Sequence, residues 1–305
     1  MLGDNMKISI IIPAYNCEKY ICQTLDCIRT QSFPQKDMEI IVFLDGCTDS
    51  TPFGVCEYSK KHPDMNIKLL KVDEKQGPSN ARNCALQCAT GEYVHFFDAD
   101  DVINQDFYRL LYEAAKKADS DIAVASFSHE RFPNDSVIFT DSIVLSVPQD
   151  KLNATKVDKH GFSWRYLIKR NFLQKNHFLF PTDMKYCEDM LIMTKCIYYS
   201  NNIVLVPKAL YVYKYRQNSL LTTHETKREQ NTYYKQAKIQ VRVFLSQFDL
   251  SPTRNYHKRT RYVLFGLIPL ILTVDRDECN KRYYLLGIIP LFSRRTNYKQ
   301  ERLVI

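Results

Sequence analysis

The first 126 residues alternate between unbroken apolar runs and segments with helical spacing. KISIIIPAY (7–15), EIIVFLD (39–45), IKLLKVD (67–73), YVHFF (93–97) and DIAVAS (121–126) are rich in β-branched and aromatic residues. Runs of this kind, without polar alternation, are the pattern of strands buried on both faces. Helical patterns lie between them. Ile21, Leu25 and Ile28 share one helix face, TPFGVCEYSKK (51–61) carries Pro in its first turn, and GPSNARNCALQCATG (77–91) has Pro78 near its start and Gly91 beyond its end. The recurrence predicts βαβ units and an α/β fold with a Rossmann-like, mostly parallel sheet flanked by helices. Ligands of such sheets bind beyond the carboxyl ends of the strands. The polar residues that follow the strands are Tyr15 and Asn16, Asp45, Asp73 to Gln76, and Asp98 to Asp101. They are therefore expected to converge on one cleft.

From 127 to about 160 the chain turns polar and irregular, with Pro133 and Pro148, and reads as a strand-and-loop excursion. Aromatics and one acidic pair, YCEDMLIMTKCIYY (186–199), follow. A polar helical stretch from about 223 to 248 leads into a tail that echoes itself: YVLFGLIPLI (262–271) and YYLLGIIPLF (283–292). Each apolar run is far shorter than the ~20 residues that span a bilayer. From position 251 onward eleven Arg or Lys face four acids (Asp275, Asp277, Glu278, Glu301). A basic tail with short apolar runs suits segments lying in the interface of an anionic membrane; buried helices packed on the preceding domain are the competing reading. The expected division is residues 1–222 as a nucleotide-sugar-binding and catalytic domain and 223–305 as a helical, basic, membrane-associating extension.

Composition narrows the chemistry. A hydrophobic fraction of 45% and a charged fraction of 25% over 305 residues are those of an ordinary soluble protein. With only 8 glycines there is no glycine-rich phosphate loop, so a phosphate must meet a metal, Arg, Lys or a helix N-terminus. Ten cysteines show no C-x-x-C spacing, and the N-terminus lacks the regions of a secretory signal. Both favour a reduced cytoplasmic compartment without a cysteine zinc site.

The stretch EYVHFFDADD (92–101) sets Asp98, Asp100 and Asp101 against a strand that reads as buried. Carboxylates this close raise one another's pKa unless something positive stands between them. A divalent cation held by oxygen ligands is the usual compensation. An acidic cleft without such an ion repels phosphate, which argues against a nucleic-acid partner despite the net charge of +8.

Six pieces in order resemble bacterial glycosyltransferase family 2: SIIIPAYN (9–16), LDGCTDST (44–51), KQGPSNARN (75–83), DAD (98–100), the pair Glu188–Asp189, and YVYKYRQNS (211–219). Three positions depart from the family pattern. Leu44 stands for the first acid of a doublet, Cys47 for a serine, and Lys75 for an asparagine. The resemblance implies a GT-A-type fold and an inverting, metal-dependent transfer from a nucleotide sugar, with UDP as the nucleotide. It implies Pro13, Ala14 and Tyr15 as one wall for the base, Asp45 as acceptor from the uracil imide N–H, and Arg82 at the base or diphosphate. Glu18 and Lys75 are secondary candidates for the nucleotide site, and Arg216 is expected to clamp the diphosphate after a loop closes. Asp100 is the expected ligand of Mn²⁺ or Mg²⁺, and Asp98 meets the ribose or a water of the ion, with Asp101 in support.

The chemistry also requires a base opposite the leaving phosphate. Asp189 is the expected general base, with Glu188 orienting it or the acceptor. Burial beside Tyr186 or Trp164 would raise its pKa from ~3.9 and make it a better base. His224 is a further candidate neighbour of the metal. The expected partners are a nucleotide-sugar donor, a lipid-linked glycan acceptor and the inner face of a membrane. Two alternatives stand beside this: a degenerate transferase serving as a membrane-docked assembly partner, which Leu44 favours, and a sugar-phosphate nucleotidyltransferase, which would need glycine in the loop PAYNCEK.

Overall fold

Two strands buried along nearly their whole length form the centre of the sheet: β1 (Ile8–Ala14) and, after helix α1 (Ile21–Arg29), β2 (Met38–Asp45). They belong to a computed structural model that describes residues 6–214, 224–248, 250, 273–277, 280–285 and 289–295. Alternate residues of both strands enter separate cores. Ile10, Ile12, Val42 and Leu44 pack with Ile21, Leu25 and Ile28 of α1. Ile11, Ile41 and Phe43 pack on the opposite face with Ala81, Ala85 and Leu86. Two covered faces are the reason the runs are apolar without alternation.

The chain continues through α2 (Thr51–Lys61), β3 (Asn66–Val72), α3 (Pro78–Cys88), β4 (Tyr93–Phe96), the short β5 (Val102–Ile103), α4 (Phe107–Lys117) and β6 (Ile122–His129). Then come β7 (Val144–Leu145), α5 (Pro148–Thr155), β8 (Tyr166–Lys169), α6 (Arg170–Lys175), α7 (Glu188–Tyr199), β9 (Ile203–Tyr213) and α8 (His224–Ser246). Spatial order in the sheet is β3-β2-β1-β4-β8-β6-β9-β5, with β7 on β9. The long registers, β1 with β2 and β4, β2 with β3, and β6 with β9, are parallel. β8 runs antiparallel between β4 and β6. This reversal brings the segment entering β8 to the carboxyl end of β4, where the carbonyl of Trp164 meets Nε2 of the fully buried His95 at 2.8 Å.

The α/β expectation holds, and the five strands and the polar helix are where the pattern puts them. Two features differ. Residues 1–252 form one compact unit that includes α8, so the boundary lies near 252 rather than 222. Residues 253–305 form a second unit, expected to be helical; the elements described there are strands, β10 (Thr273–Asp277), β11 (Asn280–Leu285) and β12 (Ile289–Arg295), paired antiparallel. Aromatic and β-branched residues favour strand, and Gly287 and Pro290 in the sequence disfavour a helix through this region. The first apolar echo, 262–271, lies outside the described residues. No helix among the described residues is long and apolar enough to cross a membrane.

Candidate active site

The carboxyl ends of β1, β2, β4 and β9 and the start of β8 meet at one side of the sheet. Tyr15, just past β1, is exposed, and Nζ of Lys75 stands 3.5 Å from its ring centroid, a cation–π contact. The loop carrying Lys75 lies against the end of β2. Gly46, with φ +65°, permits this because a Cβ there would come within 2.5 Å of the Lys75 nitrogen. Asn16 and Thr48 exchange hydrogen bonds, and Glu18 accepts the Ser50 N–H at 2.9 Å, so the loops after β1 and β2 brace each other.

Asp45 departs from its expected place facing a base. It is 3% exposed and accepts the N–H groups of Gln76 (2.7 Å) and Gly77 (2.8 Å) on its two oxygens. Its work here is to fix the loop that leads into α3. Leu44 is equally buried, in the core on the α1 face, so its departure from the family acid removes no group from the cleft. Pro13 and the buried Ala14 close the end of β1. Arg216 lies outside the described residues, as does the side chain of His224.

The acid triplet splits into three environments. Asp101 is 2% exposed and accepts the Tyr211 hydroxyl (2.8 Å) and the Lys214 N–H (2.9 Å), which ties the turn after β4 to the end of β9. Burial first, then the charges of Asp100 and Asp98, push its pKa well above the carboxylate range. Asp98 pairs with Arg82 at 3.2 Å. Asp100 is partly buried. Asp101 is thus a structural fastening rather than a free ligand. Among the described residues no three His, Cys, Asp or Glu side chains converge on a metal position. Two carboxylates nonetheless fit Mg²⁺ or Mn²⁺: hard oxygen donors, few in number, suit an ion whose shell is completed by substrate phosphate and water.

Arg82, on α3, is 5% exposed and was expected at the base or diphosphate. Its guanidinium instead bridges two acids, Nη1 to Glu188 at 2.6 Å and Nη2 to Asp98 at 3.2 Å. Burial alone would lower its pKa; Glu188, Asp98 and Asp189 together more than offset this and hold it charged. Glu188 and Asp189 open α7 behind Cys187, whose backbone is left-handed at φ 58°. The Ser163 N–H donates to Asp189 at 3.2 Å. Burial and the neighbouring Glu188 push Asp189 up to about 8, against the pull of Arg82 and the Ser163 N–H. The rise in pKa expected of Asp189 is seen, with Glu188 contributing where aromatic neighbours were the expected cause.

The sign has a consequence for stability. An acid whose folded pKa lies above its unfolded value of about 4 stabilises the fold fully below that value, and the contribution is lost as pH rises through about 8. The melting temperature of the protein, minus that of Asp189→Asn, should fall between pH 4 and 8; a flat difference would contradict the buried acid.

Sequence reasoning named Trp164 beside Asp189 but missed Ser163 and the stack that Trp164 forms with Phe162 and Tyr211. Trp164 lies parallel to Phe162 (centroids 4.9 Å apart) and to Tyr211 (4.1 Å), linking the approach to β8 with the ring that holds Asp101. Trp164 is the chain's single tryptophan, which was the one available signal.

Residues 9–185 match the model of glycosyl transferase family 2. The chain belongs to that family. Among relatives of this family 2 chain, the poly(ribitol-phosphate) beta-N-acetylglucosaminyltransferase TarS of Staphylococcus aureus is 32% identical over 208 residues, 68% of this chain and 35% of TarS. Glycosyltransferase GlyA of Streptococcus pneumoniae is 32% identical over 232 residues, 72% of this chain and 32% of GlyA. The chain thus spans about a third of these relatives. The structure of S. aureus TarS 1–349 in complex with UDP aligns with a TM-score of 0.61 at 25% identity, covering 84% of this chain and 76% of that one. A Pyrobaculum calidifontis mannosyltransferase, solved with GDP-Man and Mn²⁺, shares the fold at TM-score 0.56 and 23% identity, over 76% of this chain and 64% of its own.

Proposed function

We propose that this family 2 chain is an inverting glycosyltransferase that moves a sugar from a UDP-sugar to a hydroxyl of a surface glycan assembled on a lipid carrier. The observation that carries the reading is the bridge Asp98–Arg82–Glu188, which couples the donor-side acid to the pair containing Asp189. A raised carboxyl beside a bound sugar is the group this reaction needs. Asp189 takes the proton of the acceptor hydroxyl as its oxygen bonds to the anomeric carbon from the face opposite the diphosphate. The bond from that carbon to the diphosphate oxygen breaks, the leaving group keeps the electron pair, and the configuration inverts. Glu188, held by Arg82, keeps Asp189 in register. Tyr15 and Lys75 offer an aromatic face and a cation at the nucleotide end, and the UDP of the TarS complex supports that choice of donor. A divalent ion, held by Asp100 and Asp98, would supply Lewis-acid stabilisation of the departing diphosphate.

Asp100→Ala should abolish Mn²⁺-dependent hydrolysis and transfer of nucleotide sugars while circular dichroism and melting stay near those of the parent. Unchanged metal-dependent turnover would remove Asp100 from the role. A screen of UDP-, GDP- and TDP-sugars in the same assay identifies the donor. The balance of eleven cations against four acids from 251 onward supports residence at the cytoplasmic face of an anionic membrane. Cosedimentation with anionic but not zwitterionic vesicles is the expected result, and loss of that preference ends the membrane reading.

A further inference from the structure

A second recess lies next to the catalytic acids and takes no part in the steps above. It has a volume of about 480 Å³ and is lined from β6, the excursion before β8, and α8. That volume is within the range of small-molecule sites. Its apolar wall is Phe127, Phe162 and Tyr234, and its charged rim is Lys159 and Lys238 against Asp135. Phe162 immediately precedes Ser163, whose N–H holds Asp189, so one wall of the recess stands a single residue from the group that fixes the proposed base.

Behind this wall stands a buried cation. Arg165 is fully buried, with its guanidinium 4.7 Å from the Phe127 ring centroid. Its Nη1 donates to the carbonyls of Thr155 (2.9 Å) and His160 (3.3 Å). Among the described residues neither Nε nor Nη2 has a hydrogen-bond partner, and no carboxylate pairs with the group. A buried charge left this way is costly, and a nearby anion offsets part of the cost. Two histidines add uncharged polarity. His129 lines the recess and accepts the N–H groups of Arg131 (3.2 Å) and Phe132 (3.1 Å) on Nδ1, so its neutral ring carries the proton on Nε2 as a donor. His160 is pushed down to about 4 by burial and by the neighbouring Arg165 and Lys156, so it stays neutral at physiological pH.

Aromatic faces, neutral donors and the two rim lysines, with Arg165 behind the wall, together match an anion borne on a hydroxyl-rich chain. We infer that this recess is an acceptor subsite, which seats an acidic sugar or polyol unit of the glycan next to the hydroxyl that Asp189 deprotonates. The inference rests on the transferase reading above and adds the charge of the acceptor to it. A phosphate ester and a uronic carboxylate share the required chemistry.

The test uses the full chain with UDP at saturation, so that the donor site cannot take up the probe. Saturation-transfer NMR then compares glucose 6-phosphate, glucuronate and glucose. At least one of the two acids should bind, glucose more weakly, and which acid binds better names the anion. Lys159→Glu with Lys238→Glu should weaken binding of the acid by about tenfold or more and leave UDP binding unchanged. Equal binding of glucose, indifference to the double charge reversal, or no binding of either acid at millimolar concentration overturns the subsite. Failure of UDP to bind in the same samples would instead sink the transferase reading beneath it.

Discussion

Asp189→Asn should bind UDP as the parent does and transfer sugar about 10² to 10⁴ times more slowly. The amide is nearly isosteric with the carboxyl and still accepts the Ser163 N–H, so the start of α7 keeps its shape. What it lacks is a site for the acceptor proton. Because Asp189 sits at about 8, the parent's rate should climb as pH rises toward that value and level off beyond it. The residual rate of the variant should lose that rise. Steady-state transfer against pH, with UDP affinity by calorimetry, separates this from a packing defect. A variant that transfers at the parental rate means the base is elsewhere.

The second large effect lies at Arg82, and it falls on stability first. Arg82→Met keeps most of the volume and removes the only charge that bridges Glu188 and Asp98 among the described residues. Glu188 is then buried beside Asp189 with no counter-charge. Breaking a buried pair by deleting one partner costs about 3–5 kcal/mol, a large share of the roughly 5–15 kcal/mol that holds a domain folded. Urea denaturation measures the loss. The double variant Arg82→Met with Glu188→Gln should recover much of it, since the orphaned charge is gone. A loss below about 1 kcal/mol in the single variant would show that the guanidinium is not compensating these acids.

The sheet was legible because β1 and β2 are covered on both faces, and only strands of that kind produce runs such as SIIIPA and EIIVFL. The place of the cleft followed from the parallel connection. What stayed hidden were pairings set by tertiary structure. Arg82 reads as an anion-binding residue near a helix start, yet Glu188, over a hundred residues later, claims its guanidinium. Asp45 looks available until the loop at Gln76 and Gly77 folds onto it. Asp101 resembles its neighbours in sequence and differs from them only because β9 delivers Tyr211 and Lys214. In the tail the echo pointed to a repeated unit, but composition alone did not tell short apolar helix from strand.

The reversed strand β8 divides the labour of the chain. Among the described residues, the groups proposed to grip the nucleotide arise between positions 13 and 100, at the ends of strands β1 to β4, which run one way. The acid pair and the Ser163 N–H that holds Asp189 arise between positions 163 and 189, reached through the segment that enters the reversed strand. Arg82 is the rivet between the two halves. Nature could therefore exchange the stretch between β6 and β8 for another and change what is decorated without changing what is donated, so long as the rivet and its two carboxylates survive the swap.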